Sequence, residues 1–352
     1  MKKLIKVMAV IAAVVAGGLA VNNGKACTRV VYKGLDGLIM TGRSMDWSED
    51  ILTDLWVFPR GMNRDGATGS NTIKWKSKYG SVIASAYKVS TSDGMNEKGL
   101  VANLLWLGES QYPKWDHKKP GLSLAAWTQY VLDNFATVKE VVAAMKKEDF
   151  TIVTDQVPGQ DRLTTVHLSV SDPSGDNAVF EYINEKLIIH ESPDYTVMTN
   201  SPTFDQQLAL NEYWKGIGGT TFLPGTNRAS DRFVRASFYI DAIPKTADLK
   251  LATASVFSVV RNCSVPYGIT TPGQPNISST RWRSVADQKN LIYFFETALT
   301  PNTFWVDFKS LDLKENAPVK MLSLTKGETY AGNAAKDFVA ANPFVFMSPA
   351  GM

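Results

Sequence analysis

One stretch constrains this chain more than any other: Lys25-Ala26-Cys27-Thr28-Arg29-Val30-Val31-Tyr32. Before it, Met1 to Lys6 is basic, Val7 to Val21 is an apolar run rich in Ala and Val, and Asn22 to Ala26 is a short polar exit ending in a small residue. That order reads as a secretory signal peptide over residues 1–26, too short and wrongly flanked for a membrane span. Cleavage after Ala26 makes Cys27 the first residue of the mature protein. A cysteine there carries a free α-amine, with a reference pKa of about 7.7–8.0, and a thiol of about 8.5. Near neutral pH the amine can take the thiol proton, directly or through a water. One residue then supplies both nucleophile and general base.

Three other uses of Cys27 stand beside this one. Bacterial lipid anchors also follow a leader, although the charged Lys25 argues against that use. A disulfide with Cys263, the other cysteine of the chain, is a second. An inert buried thiol is the third.

The leader carries four of the 37 basic side chains, Lys2, Lys3, Lys6 and Lys25, so 33 remain against 34 acidic ones and the mature charge is −1. The basicity belongs to the leader, and no basic stripe speaks for a nucleic-acid partner. With 44% hydrophobic and 20% charged residues the chain can bury a substantial core. No later segment approaches ~18 uninterrupted apolar residues. The mature protein is therefore expected free of the membrane and, in a Gram-negative host, periplasmic. Two cysteines in an exported chain make no disulfide framework.

Thr28–Lys33 and Leu38–Gly42 read as strands around Gly34-Leu35-Asp36-Gly37, and Asp-Gly is a strong two-residue hairpin signal. A turn at Asp36-Gly37 puts Cys27 opposite Asp46, and a turn one residue earlier puts it opposite Ser44. Either way, Gly42-Arg43-Ser44-Met45-Asp46-Trp47 comes beside the new N-terminus. Further strands are expected at residues 50–59, 81–87, 100–107, 164–171, 178–183, 186–190, 281–286, 291–296 and 304–307. Asp93 to Gly99 reads as a turn. Helical spacing marks residues 122–135, 138–147, 204–214, 230–240 and 252–261, with Ser123 and Thr137 as caps of the first two. Strand blocks alternating with helix pairs imply layered α+β architecture. No repeat, low-complexity tract or linker divides residues 27–352, which are expected to form one domain.

Arg43 and Asp46 lie within reach of Cys27 in this hairpin. A guanidinium favours the thiolate, and a carboxylate can hold an α-amine. An Arg–Asp pair at a strand end is the ordinary alternative. Thr199-Asn200-Ser201-Pro202 follows an apolar strand end, where a side-chain amide can donate to an oxyanion or simply make a turn. Arg228, Arg232 and Arg235 cluster near a helix start. His117, His167 and His190 are far apart in sequence, and no zinc spacing or Gly-x-Ser-x-Gly elbow exists. No metal or cofactor is expected. Ser85-Ala-Tyr-Lys88 fits the Ser-x-x-Lys of penicillin-recognising serine enzymes, but Lys245-Thr246-Ala247 breaks the strand motif that should accompany it.

Taken together, Cys27-Thr28, Gly42 to Trp47, Asp93-Gly-Met-Asn-Glu-Lys-Gly-Leu100, Met198-Thr-Asn-Ser-Pro-Thr-Phe-Asp205 and Asp231-Arg232-Phe-Val-Arg235 resemble the choloylglycine hydrolase family. That family holds conjugated bile salt hydrolases and penicillin V acylases, and the overall look is closest to Bacteroides-type bile salt hydrolases. The resemblance implies an N-terminal nucleophile hydrolase fold, a four-layer αββα sandwich, often as a homotetramer. It implies cofactor-free hydrolysis of a small-molecule amide by Cys27. By position, Arg43 and Asp46 flank the nucleophile, Asn200 donates to the oxyanion, Arg232 completes the polar set, and the Trp106 backbone N–H is the second donor. Many Gram-positive relatives have Asn or Tyr at that position and lack a leader. The acyl wall implied by register and resemblance is Met45, Trp47 and Leu107, beside Trp106. Bile salt conjugates are the expected substrates, with penicillin V or N-acyl homoserine lactones as alternatives.

Overall fold

The computed structural model describes residues 27–269, 278–300 and 302–350. The leader expected over residues 1–26 lies outside them. Its main elements are β1 (Cys27–Lys33), β2 (Ile39–Trp47), β3 (Leu55–Phe58), β4 (Ser81–Ala86), β5 (Ser90–Asn96) and β6 (Val101–Trp106). Helices α1 (Leu124–Asn134) and α2 (Val138–Met145) follow, then β7 (Val166–Ser171), β8 (Asn177–Ile183), β9 (Lys186–Glu191) and β10 (Val197–Met198). Next come α3 (Phe204–Ile217), α4 (Ala229–Ala242) and α5 (Leu249–Asn262). The chain returns to strand in β11 (Ser279–Asp287), β12 (Ile292–Thr297), β13 (Phe304–Asp307), β14 (Lys320–Leu322), β15 (Gly332–Asn333) and β16 (Val339–Ala340). Among the described residues no helix is long and apolar enough to cross a membrane.

Two sheets result. One has seven strands in the order β10-β1-β2-β11-β12-β13-β15, the other nine in the order β9-β8-β7-β6-β5-β4-β3-β14-β16. Met45 and Val285 of the first share a core cluster with Val82, Ala84 and Leu105 of the second. Helices α4 and α5 cover the first sheet, and α1 and α2 the second. Trp127 and Val141 pack there against Ile83 and Leu104. This is the expected αββα sandwich. The caps hold as well: Ser123 Oγ accepts from Ala125 N at 3.3 Å and Thr137 Oγ1 from Glu140 N at 3.2 Å.

The β1–β2 hairpin sets the site. Asp36 and Gly37 carry φ of 52° and 71°, as a tight two-residue turn requires, and Leu38 N donates to Leu35 O at 3.0 Å. Gly34 N also donates to Leu38 O at 2.7 Å, so two residues face one and a bulge shifts the register. Cys27 consequently lies opposite Met45, not Asp46 or Ser44. Alternation along β1 and β2 then sorts the side chains. Cys27, Arg29, Arg43, Met45 and Trp47 share the face toward the second sheet. Thr28, Val30, Gly42, Ser44 and Asp46 share the face toward the helices. Gly42 permits that packing, because a Cβ there would sit 2.7 Å from Val256 and 2.8 Å from Val260 on α5.

Two other expectations fail. Asp93–Asn96 is strand, not turn, and Asp93 is buried as the ion-pair partner of Arg43. The strand expected over residues 50–59 shortens to Leu55–Phe58.

Candidate active site

Cys27 lines a cleft enclosing about 800 Å³, open solvent at its mouth included. Its thiol lies 3.8 Å from Met45 Sδ and 3.9 Å from the Asp46 carbonyl oxygen. Burial pushes the thiol up, Arg43 and Arg232 pull it down, and the Asp46 charge adds to the rise; the net shift is upward. The guanidiniums favour the thiolate, as expected from spacing, but burial outweighs them. A base must remove the proton during reaction. Both cysteines are free, which removes the disulfide reading.

Arg43 and Asp46 approach from opposite faces of β2. Arg43 is fully buried and donates to the Ser92 carbonyl at 2.5 Å and the Leu104 carbonyl at 2.6 Å. Its charge is met by Asp93 at 3.2 Å, which Asn103 and Tyr293 also hold. Asp46 faces the helices, accepting from Thr280 Oγ1 at 2.5 Å and Ser44 Oγ at 3.3 Å, with Arg232 at 3.9 Å. Burial raises its carboxyl to about 6 against the pull of Arg232 and these hydroxyls.

Arg232 and Asn200 converge on the backbone of Cys27. Arg232 Nη1 donates to the Cys27 carbonyl and to Thr28 Oγ1, both at 2.6 Å. Asn200 Oδ1 accepts from Cys27 N at 2.5 Å and from Arg232 Nη2 at 2.8 Å. Two donors on Oδ1 fix the amide's orientation and turn Nδ2 to the Trp106 carbonyl, at 2.7 Å. Trp106 can meet Asn200 because Leu107, not Trp106, bonds across to Thr165 of the neighbouring chain segment, leaving the Trp106 backbone turned the other way.

Met45, Trp47 and Trp106 line the cleft, with Tyr87, Val157 and Met347. The two indoles are 5.6 Å apart at 59°. Trp47 Nε1 donates to the Tyr87 hydroxyl at 2.6 Å, which donates to Glu49 at 2.6 Å. Leu107 is a correction. It is fully buried and outside the lining, because strand alternation turns it away when Leu104 and Trp106 face the cleft.

The rival serine site does not form. Ser85 is buried with its hydroxyl bonded to the backbone of Asp54, and Lys88 turns to the Asp54 carboxylate at 3.9 Å. No group of three or more His, Cys, Asp or Glu suited to a metal exists among the described residues. Thr28 and Ser44 stand in the quoted motifs without a role assigned to them, and Thr280, which carries no motif, was missed. Sequence reading also missed Met347, which reaches the cleft from some 320 positions away by pairing its N–H with Val89 O at 3.0 Å.

A buried thiol beside a fixed amide, two guanidiniums and an apolar cleft is an arrangement suited to acyl transfer. The profile of the linear amide C–N hydrolases, choloylglycine hydrolase family, matches residues 27–321. The penicillin V acylase of Pectobacterium atrosepticum is 54% identical over 347 residues, 91% of this chain and 92% of the relative. The structure of penicillin V acylase from Agrobacterium tumefaciens superposes with a TM-score of 0.86 at 61% identity, over 92% of this chain and all of that one. The bile salt hydrolase/transferase of Clostridium perfringens is 29% identical, over 77% of this chain and 89% of the relative. The chain is an enzyme that hydrolyses linear amide C–N bonds, and it belongs to the choloylglycine hydrolase family.

Proposed function

We propose that the protein hydrolyses N-acyl amides with a compact aromatic acyl group, of the penicillin V type, through Cys27. The observation that carries this reading is the cleft beside the thiol, where the tilted Trp47–Trp106 pair and Tyr87 offer rings to a phenoxy group. The 54% and 61% identities to penicillin V acylases support it, against 29% to a bile salt enzyme. The second reading is the one expected first from sequence, hydrolysis of glycine- or taurine-conjugated bile salts. The Met45, Leu104, Val157 and Met347 wall favours it, since a steroid buries far more apolar surface at roughly 25 cal/mol per Å².

In the proposed mechanism Cys27 is the first residue of the mature chain. Its α-amine takes the thiol proton as sulfur attacks the amide carbonyl carbon. The Asn200 side chain and the Trp106 backbone N–H donate to the resulting oxyanion. Collapse breaks the C–N bond, and the α-ammonium gives its proton to the leaving nitrogen. Water, deprotonated by the freed amine, then cleaves the thioester and releases the acid. Arg232 holds the Cys27 backbone and Asn200 together, Asp46 supplies negative charge near the N-terminus, and Arg43 braces the thiol face. No cofactor enters.

The test is kcat/KM for penicillin V, a taurine conjugate, a glycine conjugate and a long-chain N-acyl homoserine lactone on one preparation. Penicillin V should lead. A tenfold lead by a bile salt or the lactone would replace the substrate reading and leave the amidase intact. Export to a periplasm and assembly as a homotetramer belong to the same proposal. The intact mass of the exported protein should start at unmodified Cys27, whereas a diacylglyceryl addition would make Cys27 an anchor. Light scattering should give four chains per particle.

A further inference from the structure

Among the buried ionisable groups to which the mechanism gives no role, the His167–Glu181 pair lies beside the site. His167, on β7 beside the cleft-lining Val166, has a fully buried side chain. Its Nε2 is 2.8 Å from the Thr199 carbonyl oxygen and its Nδ1 is 3.0 Å from Glu181 Oε1. A carbonyl oxygen only accepts, so Nε2 carries a proton. Glu181 also receives the Phe204 N–H, at 3.1 and 3.2 Å, and has His190 Nε2 at 3.4 Å. Burial opposes its charge, but the hydrogen bonds from His167 and Phe204, with His190 nearby, prevail and hold the carboxyl at about 2. A carboxylate only accepts, so an Nδ1–H satisfies it, and a ring carrying both N–H groups suits the two acceptors it is sealed against. On the far side His190 Nδ1 is 3.4 Å from Asp205 at the surface.

The Thr199 carbonyl belongs to the peptide that enters Asn200. The Thr199 hydroxyl lies 2.9 Å from both Gln207 Oε1 and the Ala229 carbonyl. Gln207 Nε2 donates to the carbonyls of Asn200 and Pro202. Helices α3 and α4 thus grip the backbone of residues 199–202 with neutral groups, while Arg232 of α4 holds the Asn200 side chain. The ion pair acting on that backbone comes from β7, the strand paired to Trp106 through Val166.

We propose that the His167–Glu181 ion pair is the positioning device for Asn200, holding the Thr199–Asn200 peptide at a fixed distance from β6 so that the amide meets the oxyanion. A charged donor makes a shorter and stronger hydrogen bond than a neutral one, which suits a peptide that must not drift. The inference rests on the oxyanion role given to Asn200 above.

The test compares His167→Gln, Asn200→Ala and their double variant, with kcat, KM and thermal melting on penicillin V, beside ¹⁵N spectra of histidine-labelled native protein. His167→Gln should lower kcat about 10–100-fold, since a misplacement near 1 Å can cost ~10²-fold. KM should stay within about threefold. On the Asn200→Ala background the further loss should be under about twofold, because residues acting as a unit are not additive. The spectra should show both His167 nitrogens protonated at pH 7. Should His167→Gln fail to fold with Glu181 left unpaired, the His167→Gln/Glu181→Gln variant removes both charges and takes its place with the same expectations. A kcat per folded molecule within threefold of native, full additivity with Asn200→Ala, or an unprotonated His167 nitrogen overturns the proposal. A silent Asn200→Ala brings down the oxyanion role and this inference with it. A damaging Asn200→Ala beside a silent His167 variant brings down this inference alone.

Discussion

Cys27 and Cys263 are both buried and both free, and Arg232 touches each of them. Its guanidinium donates to the Cys27 carbonyl at 2.6 Å, while its own backbone carbonyl lies 3.8 Å from the Cys263 thiol. Burial raises both thiols, Cys263 to about 11 with Arg235 and Arg232 pulling against it. Yet Cys27 lines a cleft and Cys263 does not. Cys27 also has Asn200 and Arg232 arranged on its backbone, whereas Cys263 ends helix α5. Burial alone makes a thiol inert. What separates the two is an open face, a fixed amide and, in the proposed mechanism, a base on the same residue.

The largest expected effect breaks the first half of that comparison. Cys27→Ser should fold with an unchanged melt and retain below ~1% of native kcat, because the α-amine activates a hydroxyl poorly. Substantial turnover by that variant would remove Cys27 as nucleophile. Next, Asn200→Ala should lower kcat by roughly 10²–10³, the usual cost of one oxyanion donor. A change confined to KM would instead make Asn200 a binding residue.

A smaller effect separates activity from stability. As pH falls through about 6, Asp46 takes up a proton, and kcat/KM should decline toward tenfold per unit. Its folded value lies above its unfolded value of about 3.9, so between those two points the folded state binds the extra proton and Asp46 favours folding as pH falls. Activity should therefore drop from pH 6 to 5 while the melting temperature does not. Asp46→Asn should start lower and show no such limb; an unchanged limb in that variant assigns it to another group. The smallest effect completes the comparison. Cys263→Ala should leave kcat within about twofold and cost about 1–2 kcal/mol of stability for the lost sulfur packing, read by denaturant melts. A collapse of kcat per folded molecule would give Cys263 a role that its geometry lacks.

The parts of this site legible in sequence were those fixed by local chemistry. Asp36-Gly37 announced its turn, and the hairpin brought Arg43 to Asp46 beside Cys27. The register was off by one because Leu35 is bulged, its N–H taken by the Thr246 carbonyl at 3.1 Å. That partner sits between α4 and α5, and no local pattern reports it. Asp93 looked like a turn residue because its composition is polar. It is strand, and its buried carboxylate meets the fully buried Arg43 guanidinium. Gly94 looked equally loop-like, but a Cβ would sit 2.7 Å from Ile83 and 2.9 Å from Leu132. Leu107 was one residue out of phase with the cleft, an error that strand alternation makes total rather than partial. The roles assigned to Asn200 and Arg232 came through resemblance, since spacing alone cannot bring positions 173 and 205 residues away onto one backbone.

The central claim is that acyl transfer passes through Cys27 sulfur and no other group. Rapid acid quenching during penicillin V turnover, followed by peptide mass analysis, reads this directly. The account predicts one phenoxyacetyl group on the peptide that begins at Cys27, labile to thiols, and none on the Cys263 peptide. An acyl group on Cys263, on Ser85 or on any other residue, with Cys27 unmodified throughout turnover, would contradict it.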